Sequence, residues 1–76
     1  MKSIIEILSG IRPEFDFLTS QDYLTDGMLD SFDVLALVSD MDREFGIRIE
    51  GTDIVPENFR NLQAIRSLLG KHGVEA

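Results

Sequence analysis

Apolar residues recur at helical spacing in three separated stretches of the chain. In the first, Ser3 and Glu6 form a capping-box pair, and Ile4, Ile5, Leu8 and Ile11 follow at helical intervals. Gly10 and Pro13 are expected to stop this helix after about two turns. The strongest signal spans Asp30 to Phe45. Asp30 and Ser31 both suit a helix N-cap, Asp33 suits the first turn, and Gly46 follows the last apolar position. Val34, Leu37, Val38, Met41 and Phe45 fall on one face, which predicts the core side, whereas Phe32 and Leu35 fall outside that stripe and are expected at the surface. The third stretch begins at Asn61, a helix cap, and places Leu62, Ile65, Leu68 and Leu69 on one face, with Gly70 as its expected end.

Between the first two helices runs a long connection, Gly10 to Leu29, in which Phe15, Phe17, Leu18, Tyr23 and Leu24 are expected to pack over the core. Thr25, Asp26 and Gly27 give it turn chemistry at its end. Ile47-Arg48-Ile49 alternates, yet is too short to build a sheet. Thr52 or Pro56 suits the opening of a short helix or a 3₁₀ turn. The expected fold is all-α: three main helices plus one short helix before the last. Residues 1–76 are read as a single domain.

Composition narrows the chemistry. The hydrophobic share of 43% supplies a modest core and the charged share of 28% is that of a globular chain. There is no cysteine, so disulfides, thiolate catalysis and cysteine metal sites are excluded. The one histidine, His72, is expected as a solvated residue near a frayed end; no nucleophile–base pair is available, and an enzyme is not expected. Apolar runs are too short to cross a bilayer and no signal peptide is read. The expectation is therefore a cytoplasmic monomer with no membrane insertion.

A net charge of −7 argues against nucleic acid, whose phosphates would repel this surface, and favours basic protein partners. The charge is uneven. Pro13 to Asp42 holds Glu14, Asp16, Asp22, Asp26, Asp30, Asp33, Asp40 and Asp42 with no Lys, Arg or His. That run is either a solvated acidic face or a partner surface.

Two constellations within it bear on chemistry. Asp22, Asp26, Gly27, Asp30 and Asp33 fall at five positions of a calcium-loop register. Leu24 stands where a ligand is required, however, and Asp33 is too short to replace the closing bidentate glutamate, so no specific metal site is expected. The other is Asp30-Ser31-Phe32. A serine at a helix start is ordinarily a cap. Here it follows a long loop, opens the best helix and stands beside Phe32 and Leu35. A phosphate ester on that hydroxyl would face the positive end of the helix dipole.

Leu29-Asp30-Ser31-Phe32-Asp33, with the run to Glu44-Phe45-Gly46-Ile47-Arg48-Ile49, resembles the acyl carrier protein family over nearly the whole chain. The family signature is Asp-Ser-Leu at the start of helix two and an acidic-phenylalanine-glycine close. The resemblance implies an acyl-carrier four-helix bundle. It also implies 4′-phosphopantetheine on Ser31, with Asp30 as the flanking motif residue, attached from coenzyme A by a magnesium-dependent phosphopantetheinyl transferase. The working thiol would then belong to the arm, in keeping with the absence of cysteine. Implied partners are that transferase, an acyl or aminoacyl ligase, and acyltransferase or synthase enzymes of fatty-acid, lipid or specialised-metabolite biosynthesis. Basic surfaces on these would meet Phe32, Asp33, Leu35 and Asp40.

The chain departs from the family pattern at Phe32, where leucine is common, and at Ala36, Ser39 and Arg43, where primary fatty-acid carriers have a more acidic face. The segment Glu50 to Arg60 is also slightly longer. These features resemble specialised carriers, D-alanyl and other aminoacyl carriers included. The alternative of a different class is an unmodified acidic helical docking protein using the same face.

Overall fold

The computed structural model describes residues 2–75, which form four α-helices with no β-strand among them. They are α1 (Ile4–Ile11), α2 (Ser31–Phe45), α3 (Pro56–Phe59) and α4 (Leu62–Lys71), with a 3₁₀ turn at Gly51–Asp53. The all-helical architecture, with one short helix before the last, is the one the periodicity predicts. None of these helices is long and apolar enough to cross a membrane.

The expected caps form. In α1, the Glu6 N–H donates to Ser3 Oγ and the Ser3 N–H donates to Glu6 Oε1. In α4, the Ala64 N–H donates to Asn61 Oδ1 at 2.8 Å. As expected, α1 stops before Pro13 after about two turns, but neither Gly10 nor Gly70 ends its helix. Glycine inside a helix costs only about 1 kcal/mol and does not by itself break it. Accordingly α1 runs through Gly10 to Ile11 and ends at Arg12, the residue before Pro13, where the proline ring disfavours helical backbone. Likewise α4 runs through Gly70 and is closed by Gly73 at φ 78°, with the Val74 N–H donating to Leu69 O and the Gly73 N–H to Gly70 O.

The core is built from α2, where Leu37 and Met41 are fully buried, together with Leu8 of α1 and Ile65 and Leu69 of α4. Full burial of each such side chain contributes on the order of 1.5–3 kcal/mol. In α1 the buried positions are Ile4, Ile7 and Leu8, while Ile5 and Ile11 are half-buried, so Ile7 belongs in the stripe in place of Ile5. In α2, Phe45 is half-buried. The α1–α2 connection packs over the core as expected: Tyr23 and Phe17 are buried edge to face, and the Tyr23 hydroxyl donates to Phe17 O at 2.6 Å. Burial pushes the Tyr23 pKa up. Leu18 is the exception, 69% exposed.

The connection is tied to distant sequence at two points. The Tyr23 N–H donates to Arg60 O at 2.5 Å and Asn61 Nδ2 donates to Gln21 O at 3.1 Å. These bonds hold the connection against the junction of α3 and α4. Phe59, fully buried, anchors α3 beneath it.

Candidate functional site

Ser31 is the first residue of α2, and Asp30 is the cap. The Asp33 N–H donates to Asp30 Oδ1 at 2.9 Å, and the Asp30 N–H donates back to Asp33 Oδ2 at 3.1 Å. The pair closes a capping box made of two aspartates. Ser31 is thereby released from the capping role open to it in the sequence. Its side chain is exposed and enters no hydrogen bond among the described residues.

Beside Ser31 opens a groove of about 270 Å³ whose other walls are Leu24 of the connection, Val34 and Leu35 of α2, and Ile54, Val55, Pro56 and Phe59. Apart from Ser31, every lining residue is apolar. Periodicity does not reveal that the connection, α2 and the α3 segment enclose a common space, because their lining residues are scattered over 36 positions, from Leu24 to Phe59. The signal that was available is the cluster Ile54-Val55-Pro56, whose side chains are not consumed by any long helix.

The sequence-predicted partner residues fall on three different aspects of α2. Phe32, 82% exposed, lies on the outermost face with Ala36, Ser39 and Arg43. Leu35, 55% exposed, borders the groove. Asp33 and Asp40 lie on the opposite flank, toward α1. Asp33 is 13% exposed in its side chain, and Arg12 Nε donates to its Oδ2 at 2.8 Å. Arg12 also reaches Asp30 and Glu14, each at 3.5 Å. Asp40 pairs with Arg43 at 2.6 Å. The run from Pro13 to Asp42 is thus less bare than its composition implies: bases just outside each end fold back onto it.

The electrostatics follow from those contacts. Burial pulls the Asp33 pKa up, but the Asp30 N–H and the Arg12 guanidinium outweigh it and hold the carboxyl below the usual range. Arg12 is raised, first through its hydrogen bond to Asp33. In the turn preceding the site, Asp22 Oδ1 accepts from the Thr25 and Leu24 N–H groups, and the bond from Thr25 is the main reason its pKa is lowered. No group of His, Asp or Glu side chains suited to a metal ion occurs among the described residues, and the acids of the calcium-like register are spent on caps and turns. His72 is half-buried, not solvated, and its Nε2 lies 3.3 Å from Asp53 Oδ2.

No family model, curated protein or solved structure matches this chain.

Proposed function

We propose that the chain is a carrier protein whose Ser31 takes a 4′-phosphopantetheine arm. The resemblance of Leu29-Asp30-Ser31-Phe32-Asp33 to acyl carrier proteins implies this arm, and one structural observation supports it. Ser31 offers an exposed hydroxyl with no structural duty, at the positive end of a 15-residue helix and on the rim of an apolar groove. When attached, the arm supplies the thiol that holds an acyl or aminoacyl group as a thioester, a group this cysteine-free chain lacks.

The protein's part in loading is to present a nucleophile. Ser31 Oγ attacks the phosphorus next to the pantetheine of coenzyme A and gives its proton to a base of the transferase. The phosphoanhydride bond breaks and the adenosine bisphosphate half leaves. Asp30 and Asp33 keep the helix start ordered without engaging the hydroxyl. Leu24, Val34, Ile54 and Phe59 offer an apolar bed for the cargo. Phe32, with Leu35 beside it, is the anchor for partner enzymes of acyl or aminoacyl metabolism.

The test is incubation with coenzyme A, magnesium and a broad-specificity phosphopantetheinyl transferase, followed by peptide mass spectrometry. Gain of one phosphopantetheine on the Ser31 peptide is expected, with none on peptides holding Ser20 or Ser39. An unmodified protein would overturn the reading. It would leave the second one, an unmodified docking protein, which the exposure of Phe32 and Leu35 favours.

A further inference from the structure

Residues 50–58 carry Ile54, Val55 and Pro56 to the groove, and they are held differently from the rest of the fold. Their hydrogen bonds run between near neighbours. The Asp53 N–H donates to Glu50 O, the Ile54 N–H to Gly51 O and the Val55 N–H to Asp53 O. The Asn58 N–H donates to Val55 O, and its Nδ2 donates to Asp53 O at 2.8 Å. Such bonds shape the segment without fastening it to anything else.

Among the described residues, one polar contact of this segment reaches a distant part of the chain. His72 Nε2, at the C-terminal end of α4, lies 3.3 Å from Asp53 Oδ2 across 19 residues of sequence. A carboxylate oxygen accepts, so Nε2 carries the proton and donates. The two side chains are 19% and 25% exposed, and partial withdrawal from water strengthens the bond. His72 is itself fixed. Its N–H donates to Leu69 O, and the Val74 N–H two residues on donates to the same carbonyl. Burial anchors the chain on either side of the segment, at Ile49 and Phe59, whereas Ile54 and Val55 between them are only half-buried.

We infer that His72 is a strap: its bond to Asp53 holds residues 50–58 down between the Ile49 and Phe59 anchors, and its release lets that wall lift off the groove. The segment suits such motion. The 3₁₀ turn and α3 lack side-chain caps, and turns this short do not persist once they leave the core. Lifting uncovers Leu24 and Val34 on the facing walls while the packing of Leu8, Leu37, Met41 and Leu69 stays closed. Under the carrier reading this wall shields the cargo, yet the strap belongs to the unmodified chain and is tested there.

Hydrogen exchange on the full chain reads the strap. His72→Ala is expected to speed exchange of the Ile54, Val55 and Asn58 amides about threefold to tenfold, the factor set by one lost hydrogen bond. Exchange across Leu37 to Phe45 should not change. His72→Gln, which places an amide N–H near the same point, should restore most of the protection. Asp53→Ala should match His72→Ala, and the double variant should exceed neither. A neutral nitroxide in solution should broaden the Leu24 and Val34 methyl signals more in each alanine variant than in the parent. Unchanged exchange at 54–58, or a rise spread equally over Leu37 to Phe45, would overturn the strap. Faster exchange with no added broadening at Leu24 and Val34 would overturn its hold on the groove. Asp53→Ala reads the same contact from the other side if His72→Ala does not fold. Failure of Ser31 to load would overturn the carrier reading alone.

Discussion

Arg12 Nε and Asp33 Oδ2 lie 2.8 Å apart and tie the end of α1 to the first turn of α2 across 21 residues of sequence. The same carboxylate oxygen accepts the Asp30 N–H, so a single acid orders both the helix cap and the junction between two helices. Removing either partner should therefore do more than delete an ion pair.

The coupling is measurable. Arg12→Met and Asp33→Asn should each lower the melting temperature, and the double variant should lose less than the sum of the two losses. The shortfall should shrink as salt is raised. Strict additivity in low salt would show that the contact contributes nothing to the folded state.

Acid stability follows from the sign of the shifts. Asp33 has a lower pKa folded than unfolded, so the stability it contributes is present above the ordinary carboxylate value and is lost as pH falls through the folded one. Asp22 acts the same way, through the Thr25 N–H. Denaturant unfolding should show stability declining below about pH 4. Asp33→Asn should be less stable at neutral pH and show a shallower acid decline. An unchanged acid profile would contradict the assignment.

Capping and attachment belong to adjacent residues, and the variants should separate accordingly. Asp30→Ala removes the cap of α2 and is expected to cost about 1 kcal/mol. Ser31→Ala touches no hydrogen bond and should stay within about 0.5 kcal/mol of the parent while losing all phosphopantetheine uptake. Ser31→Thr should fold normally and load slowly, since its β-methyl crowds the hydroxyl. If Ser31→Ala proves as destabilising as Asp30→Ala, or still gains the arm, the division of labour is wrong.

Partner kinetics should follow exposure more than formal charge. Phe32→Ala is expected to speed dissociation of the transferase complex, because a desolvated aromatic anchor governs lifetime. Asp33→Lys should have the smaller effect, since Asp33 is already paired with Arg12. Surface plasmon resonance of both variants checks the order, and a larger effect at Asp33 would reverse it.

Opening of the groove wall is expected at its least regular part. The 3₁₀ turn and α3 lack side-chain caps, and Pro56 brings no N–H. Amides of residues 52–58 should exchange faster than those of Leu37 to Phe45 by hydrogen exchange. Equal protection would mean that the groove is rigid.

Local physics was legible in the residues themselves. The capping pairs Ser3–Glu6 and Asn61–Ala64, the apolar stripe of α2 and the exposure of Phe32 and Leu35 all follow from helical spacing and from side chains that act within four residues. The position of Ser31 at a helix start was equally local. Which of Asp30 and Ser31 would cap was not, because both side chains can serve. The choice went to Asp30, whose carboxylate exchanges bonds with Asp33 while Arg12 steadies that acid.

What tertiary structure alone decided lies at long range. Arg12 pairs with Glu14, Asp30 and Asp33 of an acidic run from outside it, and Tyr23 fixes the connection against Arg60. Leu24, Ser31, Pro56 and Phe59, far apart in sequence, come to line one groove. Spacing along one helix cannot carry such information. The loop's path depends on where its buried aromatics meet the packed helices, and only the closed core fixes that point.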